Sequence, residues 1–181
     1  IKAFRWSTDR LDKNGGIICL ITNGIWLDNN SMNGFRKSIE NEFSAIYVFN
    51  LRGGIRGKSG LSAKKEGQNV FDIMTGVAIT LLVKNPKSNN KKAKISYKNI
   101  GDFLNKQEKN KIIKEVKSFG NKNIMFDQLT PNEFGDWLYL RNDSFEFFTQ
   151  LVPSKRLNTK SESFFLINSL GIGTSRDSWV Y

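Results

Sequence analysis

Residues 76–84 read Gly76-Val77-Ala78-Ile79-Thr80-Leu81-Leu82-Val83-Lys84, and Asn85-Pro86 stops them. This aliphatic, β-branched run is the strongest strand signal in the chain. Two weaker runs precede it. Ile17-Ile18-Cys19-Leu20-Ile21-Thr22 follows Gly15-Gly16 and predicts a strand buried on both faces. Ala45-Ile46-Tyr47-Val48-Phe49 predicts another. Between them, Phe35, Ile39 and Phe43 recur at i, i+4 and i+8, which predicts a helix over about 32–42 capped by Asn30 or Ser31. A strand–helix–strand unit of this kind makes a right-handed crossover and so a parallel pair. The run at 76–84 instead follows a long connection without helical periodicity. It is expected to return antiparallel, either beside the pair or between its two strands.

Working outward, residues 1–12 predict a helix with Phe4 and Leu11 on one face, stopped by Asn14-Gly15-Gly16. Residues 87–94 form a polar, basic link, and 93–97 a short strand. Asn105 with Glu108 approximates a capping box for a helix over about 106–119. That helix buries Ile112, Ile113, Val116 and Phe119, ends at Gly120, and reads as an ordinary amphipathic surface helix. Beyond 121 the pattern is irregular and aromatic, with Phe126, Phe134, Trp137, Tyr139, Phe145, Phe147 and Phe148. Trp137 and the 145–148 aromatics are expected in the core of a second piece. The fold class is α/β, with residues 1–90 as one piece and 91–181 as a smaller mixed α+β piece. Three strands and two helices leave a face or edge open. With Ile1 first and Ser178-Trp179-Val180-Tyr181 last, this gives the expectation of a chain cut from a longer polypeptide.

Across 181 residues, 39% hydrophobic and 12% aromatic content supplies a packed core, which excludes wholesale disorder. No apolar run approaches the roughly 18–20 residues of a membrane span, and no secretory signal is visible. The single cysteine, Cys19, excludes an internal disulfide; its apolar run suggests a packing role and a reducing, cytoplasmic setting. Without histidine, no His/Cys zinc site or His-based triad can form, and no metal is expected. Lys+Arg total 28 against 17 Asp+Glu, a net +11. Such an excess favours a polyanion, most simply nucleic acid. Lysine- and asparagine-rich composition drift is the alternative.

Residues 50–69 gather five glycines with Arg52, Arg56, Lys58, Lys64 and Lys65 against one acid, Glu66. Glycine lets backbone approach phosphates, and amides with cations bind them. Five phosphate contacts would give a slope of log affinity on log salt of roughly −4.5. A solvated, disordered loop is the alternative. Gly57-Lys58-Ser59 lacks the spacing and following helix of a nucleotide-binding P-loop. Asn23, Trp26 and Asp28 follow the first strand's carboxyl end, where α/β sheets place ligands. Asn23 and Trp26 are therefore candidate pocket residues, with a core role for Trp26 as the alternative. Arg176-Asp177 reads as an ion pair or a DNA contact.

Several segments carry a resemblance: Gly15-Gly16 through Asn23-Gly24-Ile25-Trp26-Leu27, Phe35-Arg36-Lys37, Ile46-Tyr47-Val48-Phe49-Asn50-Leu51-Arg52-Gly53, Lys65-Glu66-Gly67, Val70-Phe71, Val77–Pro86, Gly101-Asp102-Phe103-Leu104, and Gly171 through Tyr181. Together they resemble the N6-adenine DNA methyltransferases of gamma order in type ISP restriction-modification proteins, which are similar to helicase–methyltransferase fusions. The resemblance implies a Rossmann-like, S-adenosylmethionine-dependent sheet whose last strand runs antiparallel between its neighbours. Residues 1–90 would end the catalytic domain and 91–181 would connect toward target recognition. It implies double-stranded DNA and the rest of the parent polypeptide as partners, S-adenosylmethionine as cofactor, and no membrane. Phe71 matches the family's second adenine-stacking aromatic. The glycine motif and the Asn/Asp-Pro-Pro-aromatic motif would lie upstream of Ile1, so the fragment alone is expected to be inactive. A non-catalytic nucleic-acid-binding module is the alternative.

Overall fold

Five strands share one sheet: β1 (Gly16–Asn23), β2 (Ala45–Arg52), β3 (Val77–Lys84), β4 (Lys94–Asn99) and β5 (Asp127–Leu129), in the order β1-β3-β2-β4-β5. The computed structural model describes residues 1–11 and 13–138, with 144, 147–149, 151 and 163–165. β3 lies antiparallel between β1 and β2, from Gly16↔Lys84 to Asn23↔Val77 on one side and from Ala45↔Val83 on the other. β1 and β2 therefore run the same way without touching, so the strongest strand enters between the pair. β4 adds parallel to β2, and β5 closes the far side antiparallel. The result is a mixed α/β unit whose sheet is mostly antiparallel.

The chain forms two compact units, Ile1–Tyr139 and Leu140–Tyr181. The expected division at 90/91 falls between β3 and β4 of one sheet. It followed a change of composition, which marks a basic surface turn here and not the end of a core.

Among the described residues four α-helices accompany the sheet: α1 (Lys2–Thr8), α2 (Asn33–Glu42), α3 (Gly60–Glu66) and α4 (Lys106–Val116). One sheet face buries Ile18, Ile46, Val48, Ala78, Leu82 and Ile95 against Phe4, Ile39, Phe43, Leu27 and Trp137. Trp26 centres an edge-to-face cluster with Phe4, Phe35 and Trp137, at centroid distances of 5.3–5.5 Å. Such pairs add to burial about 0.5–1.5 kcal/mol each. The opposite face packs Phe49, Leu51 and Val77 against Ile100 and the Ile112, Ile113 and Val116 stripe of α4. That cover stops short of β1. Ile17 is 66% exposed, and Ile21 and Cys19 are exposed with it. β1 is therefore buried on one face only, and Cys19 has no packing role. A short apolar run does not reveal which of its alternate residues finds a partner.

Local chemistry explains the boundaries. Asn105 and Glu108 form a complete capping box at α4, whose helix ends at Lys117 in a left-handed conformation (φ 58°) and not at Gly120. Asn30 and Ser31 do not cap α2. They sit in a 3₁₀ turn, Asn30–Met32, capped by the side chain of Asn29. The connection 50–69 holds the seven-residue α3, so it is neither structureless nor free of helix. Trp137 is a core residue of the first unit, while Phe147 and Phe148 are exposed. Tyr139, Phe145, Arg176, Asp177 and the tail from 171 lie outside the described residues.

Candidate functional site

Because β1 and β2 are parallel, their carboxyl ends meet the start of β3 at one end of the sheet. Backbone bonds join the three segments there. Gly24 N–H donates to the Gly76 carbonyl at 2.9 Å, and Ile55 and Arg56 N–H donate to the Met74 carbonyl at 3.0 and 3.1 Å. Asn69, buried, is the clasp. Its Nδ2 donates to the carbonyls of Gly53 (3.2 Å) and Thr75 (2.8 Å), while its Oδ1 accepts from the Phe71 N–H at 2.8 Å. Gly53, at φ 80°, is held so close to Asn69 that a Cβ would lie 2.8 Å from the Asn69 Cα. Only glycine suits that position. The Phe71 ring, carried on this fixed turn, is 52% exposed, as a core staple would not be. Ile25, Ile55, Ile73 and Met74 are also exposed around the same junction.

The five candidate cations differ in availability. Glu66 accepts from Lys58 (2.7 Å), from Arg52 (3.3 Å) and from the Gly54 N–H (3.2 Å). Arg52 also pairs with Asp102, and Lys65 approaches the same carboxylate at 3.8 Å. Burial pushes the Glu66 carboxyl upward, but the Lys58 bond, Arg52 and the Gly54 amide outweigh it and hold the group below its ordinary range. Desolvation raises Asp28, and Lys58 opposes that rise. Arg52 is the least available of the five: its side chain is 14% exposed and engaged by two carboxylates. Arg56 and Lys64 have no ionic partner among the described residues, and Lys58 and Lys65 remain exposed although paired.

At the β1 end, Trp26 is buried in the aromatic core, the alternative that its sequence context offered. Its carbonyl accepts from Arg36 at 2.8 Å. Asn23 is exposed, and its Oδ1 accepts from the Ile25 N–H, so it caps the turn leaving β1.

Sequence reasoning missed three residues. Fully buried Lys109 donates to the carbonyls of Leu51 (2.9 Å) and Glu66 (2.8 Å), which ties α4 to the ends of β2 and α3. Burial lowers its pKa, partly countered by Glu66. Fully buried Arg36 pairs with Asp136 at 3.1 Å and donates to the Gly135, Trp26 and Asn29 carbonyls. Asn69 had one local signal, an Asn two residues before an aromatic at the end of a glycine-rich stretch, the spacing of an Asx turn.

The glycines beside the strand ends make room for the chain's own backbone: Gly53 for Asn69, and Gly54 for Gly76, whose nitrogen would lie 2.9 Å from an added Cβ. Among the described residues no group of three or more Asp, Glu or Cys is placed to hold a metal, and no helix is long and apolar enough to cross a membrane.

No protein-family model and no curated protein matches the sequence. Solved structures do match. The ATP-dependent Type ISP restriction-modification enzyme LlaBIII bound to DNA is 42% identical, with a TM-score of 0.79 over 90% of this chain. A nuclease-deletion mutant of the Type ISP enzyme LlaGI, in complex with a DNA substrate mimic, is 33% identical, with a TM-score of 0.73 over 85%. The DrdV–DNA complex is 30% identical, with a TM-score of 0.75 over 98%. The chain spans 10%, 14% and 17% of the length of these three structures, respectively.

Proposed function

We propose that this chain is the adenine-facing part of an N6-adenine DNA methyltransferase within a restriction-modification enzyme. The observation that carries the reading is the half-exposed ring of Phe71, held by Asn69 at the carboxyl ends of β1 and β2, in a sheet whose β3 returns antiparallel between them. The 42% identity to a DNA-bound Type ISP enzyme supports it. An exocyclic amine inside a duplex is out of reach, so the base must leave the stack and find a π-face. Phe71 would supply that face, and Arg56, Lys58, Lys64 and Lys65 would contact the backbone beside it. S-adenosylmethionine, which supplies the methyl group when bound, is assigned to other parts of the parent polypeptide, because Gly53 and Gly54, the glycines beside the strand ends, are filled by the chain's own backbone.

Two measurements test this. Base–aromatic stacking is worth about 1–3 kcal/mol. Phe71→Ala should therefore weaken binding of a single-stranded, adenine-containing oligonucleotide by roughly 5- to 150-fold, with Phe71→Tyr restoring it. Unchanged affinity, or a large fall in Tm for Phe71→Ala, would return the residue to a packing role. The chain by itself, given labelled S-adenosylmethionine and mixed-sequence DNA, should transfer no label. Clear turnover would overturn the division of labour proposed here.

A further inference from the structure

The most strongly charged stretch of the molecule lies at the other end of the sheet. Between the end of β3 and the middle of β4, residues 84–98 carry Lys84, Lys87, Lys91, Lys92, Lys94 and Lys98, and no acid. Lys87, Lys91, Lys92 and Lys94 are exposed. Their only ionic contact among the described residues is Lys92 with Glu40 at 3.9 Å, and the Glu40 carboxylate already accepts the Trp137 indole N–H at 2.6 Å. The backbone that carries them is anchored on both sides of Lys91 and Lys92. Asn85 Oδ1 accepts from the Lys87 N–H (3.0 Å), and Asn85 N–H donates to Ser44 Oγ (2.9 Å). Ala93 and Lys94 N–H donate to the Glu40 and Ser44 carbonyls. A ridge of like charges on an anchored turn repels itself unless an anion covers it.

We infer that the β3–β4 connection, through Lys87, Lys91, Lys92 and Lys94, is a second nucleic-acid contact, made to the phosphate backbone and independent of the Phe71 end. The ligand class follows from shape. An open cleft of about 800 Å³ beside the ridge mixes Lys37, Lys92 and Lys94 with Glu40 and Glu133, which suits no small anion. The unopposed charges lie along the exposed turn, where a linear polyanion reaches several at once. A duplex offers one phosphate per roughly 3.4 Å of each strand. The contact reads charge and not base sequence, since lysines at phosphates position a protein without specifying a site.

The test uses the full 181-residue chain and a mixed-sequence duplex of about 25 base pairs, with binding followed by fluorescence anisotropy over a salt series. Changing Lys87, Lys91, Lys92 and Lys94 to Gln together should reduce the magnitude of the log–log salt slope by roughly 3.6. Lys87→Gln with Lys91→Gln alone should reduce it by roughly 1.8. A control with Lys111, Lys114, Lys117 and Lys122 changed to Gln removes the same net charge from in and after α4, and should move the slope far less. An unchanged slope in the first variant, or an equal change in the control, overturns the proposal. Phe71→Ala should leave the slope unaltered, so failure here and failure of the methyltransferase reading are separable.

Discussion

Two connections in this molecule look alike as text and differ as surfaces. Residues 50–69 hold five cations and residues 84–98 hold six. In the first, Glu66 and Asp102 engage Arg52, Lys58 and Lys65. In the second, the only carboxylate in range among the described residues is Glu40, at 3.9 Å from one lysine. The acids that quiet the first connection come from α3 and from the loop before α4, close in space but up to fifty residues away in sequence. A net charge of +11 is therefore a poor guide to where a polyanion will bind. Cations that hold the fold together contribute little to a partner, and exposed, unopposed ones contribute nearly all of it.

The comparison breaks most visibly where neutralisation is complete. Arg36, fully buried, pairs with Asp136 and serves three carbonyls. Arg36→Met strands a buried carboxylate and should cost about 3–5 kcal/mol in urea unfolding. A loss under about 1 kcal/mol would show that such engagement is not what secures this fold. Glu66→Gln comes next. It removes the negative charge shared by Arg52 and Lys58, leaving one neutral carbonyl acceptor, and should cost about 2 kcal/mol. It should also release Lys58 to a duplex, Arg52 staying with Asp102, and so steepen the salt slope by up to roughly 0.9. Loss of stability with gain of binding is the signature; loss of both would mean that the freed cation does not reach phosphate. Because Glu66 is held below its ordinary pKa, its contribution is complete above the ordinary glutamate range and is lost as pH falls through the depressed value. Acid should therefore weaken the native chain more than it weakens Glu66→Gln.

The Phe71 turn sharpens the same contrast on a neutral scale. Asn69→Ala removes three hydrogen bonds from a buried side chain and should cost about 1–3 kcal/mol. Phe71→Ala, two residues on, should stay within about 0.5 kcal/mol, because its ring is half exposed. Thermal unfolding of the two variants separates the residue that builds the turn from the residue the turn presents.

Much of this architecture is legible in the sequence, because strands announce themselves locally. The antiparallel return of β3 follows from a crossover and a non-crossover connection, its place between β1 and β2 rests on resemblance, and the Asn105–Glu108 box is written in four residues. The misreadings share one physical cause. Whether Ile17 and Cys19 are covered depends on how far α4 extends across the sheet, and no local pattern encodes that. Whether Trp26 faces a ligand or a core depends on Phe4 and Trp137 arriving from opposite ends of the unit. Arg52 reads as a free cation until Asp102 is brought beside it. Lys109 passes for a surface residue, since its acceptors are backbone carbonyls, which every sequence has everywhere. Phe71 was singled out by resemblance alone; its exposure, and Asn69 beneath it, belong to the fold.

The smallest expected effect tests the other half of the contrast. If Lys87, Lys91, Lys92 and Lys94 hold nothing together, changing all four to Gln should not destabilise the chain. Exposed charges without close partners contribute little, and surface substitutions away from special features stay within about 0.5 kcal/mol. The sign is the informative part. Removing mutual repulsion should raise stability slightly at low ionic strength. That gain should vanish near 1 M salt, where the screening length is about 3 Å. Glu66→Gln should behave differently, because its partners sit at hydrogen-bond distance with Arg52 largely buried, and salt screens such contacts poorly. Unfolding free energies for the native chain and the two variants, at about 0.05 M and 1 M salt, give four differences. A four-lysine variant that loses stability at both concentrations would mean that the ridge is structural, and its charges would then be no more available than those of Arg52.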